Sequence, residues 1–218
     1  MQGHAWCSSL GGTNFIAGAT APGSRRSVGG AGRWHRRVRR GEGPAPYVWR
    51  VSSTPSQNRV DVDRCAGERD ALNQQLDFQR ATLLRKLEGL DDEQLRRPMT
   101  RSGLSLLGLV KHLTSTEHGW FLSIYAGLPD PPPYGADPSQ EFRAGLHDTT
   151  QALIDEYLRT CARCRQVVSV GKLDDVIRTP YGTSANLRAI LLHMIQETAR
   201  HNGHADTIRE EIDGTTGY

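Results

Sequence analysis

The sequence predicts an all-α protein: an up-down four-helix bundle preceded by a disordered Arg/Gly-rich extension. Three observations carry this. Apolar residues recur at three- and four-residue spacing in long segments after residue 66. Clusters of Pro and Gly separate those segments, and no stretch of comparable length alternates as a strand would. Residues 1–60 show no sustained apolar period and hold nine Arg, ten Gly, four Pro and a single acid, Glu42.

The expected division is therefore an extension over 1–65 and a helical domain over 66–218. Of the overall charge of +3, residues 1–60 carry +8 and the remainder −5. Such a segment buries too little apolar surface to offset its ordering entropy, so it is expected to be disordered. A tail without function is the plainest reading of it, and an early start would produce one. Phosphate attraction through Arg33, Arg36, Arg37, Arg39 and Arg40 is the alternative, but no fold presents them, so binding would be non-specific and salt-sensitive. Gly11–Ala21 is too polar and Gly-rich for a secretory core. No run of about eighteen apolar residues spans a membrane.

The first helix is expected from Glu68 to Glu88, on Leu72, Leu76, Leu83 and Leu87, with Gly89 as its stop. Asp91 opens a short helical turn and Gln94 completes a capping box. The second helix runs from about Ser105 to Ala126, with Leu106, Leu109, Val110, Leu113, Trp120, Phe121 and Ile124 on a broad apolar face and Gly127 closing it. Pro129, Pro131, Pro132 and Pro133 exclude a helix in the loop that follows. The third is expected to start at Asp137 as N-cap, with Pro138 in the first turn and Gln140 in a capping box. Phe142, Leu146, Leu153, Ile154, Tyr157 and Leu158 would mark its apolar side to about Arg165. Val167, Val168 and Val170 suit a short extended piece, and Pro180-Tyr181-Gly182 a turn. The last helix runs from about Asn186 to Asp213, with Gly214 after it.

Four cysteines occur. Cys161 and Cys164 form C-x-x-C on an expected helix without a second pair, a weak zinc or redox signal, so both are read as ordinary helix residues in a reducing compartment. The chemical signal lies in the last helix. Its expected inward stripe reads Ile190, Met194, Glu197, His201, His204, Ile208, an apolar seam broken by a carboxylate and two imidazoles. Buried Glu is rare unless paired or bound to metal. Glu197 and His201 are four apart, so both project from one face. His112, among Leu109, Val110 and Leu113, can point into the bundle too. Three such ligands leave a coordination position open, as catalytic sites do. The bland alternative is a set of satisfied core histidines. His193, four before Glu197, offers a competing pair, whereas His118, His147, His35 and His4 read as surface residues.

Two strings, LGLVKHLTSTEHGWF (Leu107–Phe121) and LLHMIQETARHNGHADTIREE (Leu191–Glu211), resemble the second and last helices of the DinB-like superfamily. The opening LDFQRATLLRKLEGLDDEQL fits its actinobacterial branch, and the likeness covers about Glu68 to the C-terminus. The resemblance implies a four-helix bundle holding one divalent metal ion, usually zinc or nickel, through His112, Glu197 and His201. The Glu in that pair is like the mycothiol-dependent maleylpyruvate isomerase branch. Relatives include thiol S-transferases using mycothiol or bacillithiol. Three Lys against twenty-four Arg suggest a GC-rich genome, which fits mycothiol as the co-substrate. The chain stops at Tyr218, without the isomerase's second domain, so maleylpyruvate is not the expected substrate.

The expected function is thus a cytoplasmic, metal-dependent thiol S-transferase. A metal-activated thiol would attack a small electrophile, with His204 orienting a ligand or carrying a proton and Arg200 or Arg209 pairing with acidic substrate groups. The expected partners are small molecules, with no membrane and no specific nucleic acid; a homodimer is allowed. The competing classes are a non-catalytic metal-binding bundle with a sensing role and an Arg-tailed nucleic-acid binder with a helical dimerisation domain.

Overall fold

The computed structural model describes residues 61–135, 141–145 and 147–217. The expected disorder of residues 1–60 and the expected cap at Asp137–Gln140 lie outside them. Among the described residues four long helices carry the fold: α1 (Glu68–Arg85), α3 (Leu106–Glu117), α4 (Thr150–Val170) and α5 (Leu187–Asp213). A short α2 (Asp92–Arg96) precedes α3, and a hairpin of β1 (Val176–Arg178) and β2 (Ser184–Asn186) joins α4 to α5.

The helix starts follow local chemistry. Asp91 and Gln94 form the expected capping box of α2. Ser105, Thr149 and Asn186 each accept a backbone N–H of the next turn at the starts of α3, α4 and α5. Such caps contribute about 1 kcal/mol each. Gly214 ends α5 with φ of 76°, a left-handed conformation that disfavours other residues.

Three expectations need correction. Residues 142–145 are not helical; α4 begins at Thr150 because Thr149 caps it, after a turn in which Gly145 N–H donates to Asp148. Val167, Val168 and Val170 end α4 rather than forming an extended piece, and Val168 is buried against the start of α5. The extended backbone comes later, in an antiparallel hairpin pairing Val176 with Asn186 and Arg178 with Ser184 around the expected turn at Gly182. The second helix also changes character: His118–Tyr125 continues α3 as a π-helix, with Ala126 N–H donating to Phe121 O.

Contacts along the chain fix the helix directions. Arg188 pairs with Glu68, Asn202 donates to Gln79 O, and Arg209 donates to Glu88 O, so α1 and α5 run parallel. Arg69 donates to Gly171 O and Arg165 pairs with Asp77, so α4 runs opposite to α1. Arg80 pairs with Glu117 while Leu76 packs with Phe121 and Leu122, so α3 also opposes α1. The up-down alternation therefore holds for α1–α3 and for α4–α5, and the middle pair, α3 and α4, is parallel. The Pro-rich connection after Tyr125 returns the chain to the same end of the bundle.

The core divides into two clusters. One gathers Leu83, Leu87, Leu90, Leu106, Leu109, Leu113, Tyr157 and Ile208; the other gathers Leu76, Phe121, Cys164, Leu187, Ile190 and Met194. Each fully buried Leu of this kind contributes roughly 1.5–3 kcal/mol. Cys161 and Cys164 are free and buried within these clusters, and burial pushes the Cys161 thiol up to about 12. Both act as core side chains, not as a redox pair.

Between the clusters lies an ion pair. Arg80 Nε donates to Glu117 Oε1 at 2.7 Å, with Nη2 on Oε2 at 2.5 Å, and Glu117 has no exposed surface. Removing either partner strands a buried charge, so Glu117→Ala or Arg80→Ala should lower unfolding free energy by roughly 3–5 kcal/mol in urea titrations. A loss no larger than that of Arg159→Ala, at an exposed pair with Glu156, would contradict this reading.

Candidate metal centre

Helices α3 and α5 cross in opposite directions, and their facing stripes assemble the site. His112, Thr116 and Trp120 lie one turn apart on α3 and its π-helical continuation; His201, Glu197 and His193 lie one turn apart on α5. His112 Nε2 lies 3.4 Å from Glu197 Oε1, and His201 Nε2 lies 3.0 Å from the same oxygen. One ligating atom from each of the three residues falls within 4.8 Å of the others. Among the described residues this is the group of His, Cys, Asp and Glu side chains close enough together that they could hold a metal ion.

The competing pair does not form. His193 packs its ring on Trp120, with centroids 4.6 Å apart, one turn away from the cluster. His147 is exposed, as expected. His118, expected at the surface, is buried, with Nδ1 3.3 Å from Ser123 Oγ; it continues the buried face of Lys111, Thr114 and Ser115 on α3. His204 is exposed, and Ala205 takes the inward place that the stripe assigned to it. It stays beside the site, its ring edge-on to His201 at 5.4 Å. Arg209 is committed to structure through Lys86 O, Glu88 O and Asp213.

Sequence reasoning missed Glu141, and it gave Phe142 only as part of an apolar helix face. Glu141 is buried, and its Oε2 lies 3.3 Å from His112 Nδ1. Phe142 stacks on the same imidazole, with centroids 4.0 Å apart and planes 19° apart. Glu141 carries no apolar signal, and Phe142 lies where the expected helix is interrupted before α4. The available signal was a Glu–Phe pair next to a Pro-rich loop, which is too common to read.

The electrostatics follow from this packing. Burial opposes the His112 imidazolium, but the Glu141 and Glu197 carboxylates outweigh it and raise the pKa. His201 is lowered, chiefly by burial, with Glu197 opposing and His112 adding to the fall. Hydrogen bonds from His112 and then His201 hold the Glu197 carboxyl well below the usual carboxylate range. Glu197 is therefore an anion at neutral pH, flanked by two Nε2 atoms.

These residues fit a divalent metal. Two imidazole nitrogens and one carboxylate oxygen converge, a donor set suited to zinc or nickel. The partner at His112 Nδ1 leaves Nε2 free to ligate. His201 Nδ1 is buried without a hydrogen-bond partner among the described residues, so its Nε2 is the nitrogen facing Glu197.

A family model described as Mycothiol-S-transferase matches residues 71–214. The chain belongs to that family. The match spans all four long helices but the first turn of α1, and includes His112, Glu141, Glu197 and His201. No curated protein matches the chain. The expected likeness to DinB-like proteins of the actinobacterial type is thereby met, since this family is DinB-like.

Histidine titrations by NMR on metal-free protein test the electrostatics. His112 should titrate above its ordinary value of 6.5, and His201, His193 and His118 below it. By linkage, His112 stabilises the metal-free fold below its unfolded pKa and loses that contribution as pH rises through the raised value. A His112 midpoint at or below that of His201 would contradict the arrangement.

Proposed function

We propose that this member of the mycothiol-S-transferase family is a metal-dependent enzyme that joins mycothiol, through its sulfur, to a small electrophile. The observation that carries the reading is the convergence of His112 Nε2, His201 Nε2 and Glu197 Oε1 inside the segment that matches the family. His112, Glu197 and His201 would hold one divalent ion, zinc or nickel. Three protein ligands leave room for one more donor, and a divalent ion lowers the pKa of a thiol bound there, supplying thiolate near neutral pH.

The chain's own groups do the rest. Glu197 brings the negative charge that draws a cation between the two imidazoles. Thr116 Oγ1, which donates to His112 O at 2.9 Å, fixes the hydroxyl beside His112 Nε2. His204, edge-on to His201 and open to solvent, is placed to take up the proton the thiol loses and pass it to water. The sulfur would then form a C–S bond to the electrophilic carbon as that carbon's leaving group departs with its bonding electrons, bromide in the case of monobromobimane. Among the described residues no helix is long and apolar enough to cross a membrane. We place the reaction in the cytoplasm, with small-molecule partners.

The test uses purified protein and its cobalt-substituted form. Adding mycothiol should produce a sulfur-to-cobalt charge-transfer band, and the protein should conjugate mycothiol to monobromobimane. His112→Ala, Glu197→Ala and His201→Ala should each lose the metal and the turnover; His147→Ala should lose neither. His204→Ala should keep the metal and slow turnover, most at low pH buffering capacity. Fully loaded wild-type protein whose spectrum no low-molecular-weight thiol perturbs would sink the transferase reading.

A further inference from the structure

Residues 141–145 and Asp148 are held against α3 by several contacts. Gly108 lies one turn before His112, and a Cβ there would stand 2.2 Å from Phe142 O and 3.0 Å from Phe142 C. Only glycine lets this backbone pass so close to the helix. Lys111 Nζ donates to Arg143 O at 3.0 Å and pairs with Asp148 at 2.8 Å. Arg96 donates to Gly145 O at 3.1 Å from the opposite side and also pairs with Asp92 of its own helix. Two helices thus grip one short piece of chain.

What the grip delivers is specific. Glu141 meets His112 Nδ1 and Phe142 covers the ring's face, so the imidazole can neither flip nor swing. Glu141 is 2 % exposed, and its Oε1 has no hydrogen-bond partner among the described residues. A buried carboxylate with one oxygen unpaired is costly. Packing does not require it, since Phe142 and Leu109 supply apolar contact nearby.

We infer that Glu141 is a positioning residue: it holds the proton of the neutral His112 on Nδ1 and thereby presents Nε2 toward Glu197 and His201. Gly108 is its counterpart in the helix, the position that admits the loop. The inference rests on the proposed metal site for its purpose, though not for its geometry. A carboxylate on the far nitrogen of a ligating imidazole sets the tautomer and raises ligand basicity. The carboxylate comes from the chain between α3 and α4, so the same device makes the site sensitive to how that chain is seated.

The experiment compares wild type, Glu141→Ala and Gly108→Ala as full-length chains, with two readouts. The first is the His112 tautomer in metal-free protein, from ¹⁵N shifts at a pH where the ring is neutral. The second is zinc affinity by chelator competition. Wild type should hold the proton on Nδ1. Glu141→Ala should shift it toward Nε2 and weaken zinc binding roughly 10- to 100-fold. Gly108→Ala, which alters no group at the site, should displace the loop and move both readouts the same way. An unchanged tautomer or a zinc affinity within about twofold of wild type in Glu141→Ala overturns the inference. If Glu141→Ala does not fold, the same two criteria apply to Gly108→Ala. Wild-type mycothiol turnover is measured alongside. Its absence defeats the proposed reaction, while the tautomer in metal-free protein still decides the role of Glu141.

Discussion

A carboxylate with no exposed surface must be matched by a cation or it will not stay buried, and Glu117 is such a group. Its bidentate pairing with Arg80 ties α3 to α1, and its own carbonyl accepts from Cys164 of α4 at 3.6 Å. Burial works against the Arg80 cation, yet the Glu117 charge more than offsets it and keeps the guanidinium protonated. Arg80 also reaches Asp77, which Arg165 of α4 shares. One ionic knot therefore sets the rotation of α3 about its axis. His112 stands five residues before Glu117 on that helix, so the rotation that buries Glu117 toward α1 and α4 aims His112 toward α5. The site depends on the knot without touching it.

The same separation of tasks explains what the sequence revealed. Caps, stops and apolar spacing are local, so Asp91, Ser105, Asn186 and Gly214 all mark boundaries that the structure keeps, whereas α1 ends at Arg85, before the expected stop at Gly89. The Glu197/His201 pair was legible because four residues make one helical turn, and His112 because apolar residues flank it. The described start of α4 was not legible. A Pro-capped start at Asp137 and a Thr-capped one at Thr149 are both sound local signals, and tertiary contacts of Asp148 with Lys111 settle the described chain. The parallel run of α3 and α4 was hidden for the same reason, since a long connection permits either direction.

Exposure misled at two histidines. His118 and His204 carry no signal of their own, and their burial depends on helix phase. His118 follows the buried Thr114 and Ser115 by four and three residues and shares their face. On α5 the buried stripe runs through Thr198, His201, Asn202 and Ala205, which leaves Glu197 and His204 at its edge. An edge position suits a site that must admit solutes: Glu197 is charged yet reachable, and His201 is anchored by the core. Glu141 escaped notice and Phe142 was read only as part of an apolar helix face, although both touch the His112 ring.

The central claim is that two imidazoles and one carboxylate from α3 and α5 hold a metal with a place left for a thiol. X-ray absorption at the zinc edge, recorded on loaded protein before and after mycothiol, tests it most directly. The account requires only nitrogen and oxygen neighbours before addition, two of them imidazoles, and one sulfur neighbour at about 2.3 Å afterwards. A sulfur neighbour before any thiol is added would place the metal on a cysteine of the chain and contradict the account; so would a spectrum that mycothiol leaves unchanged.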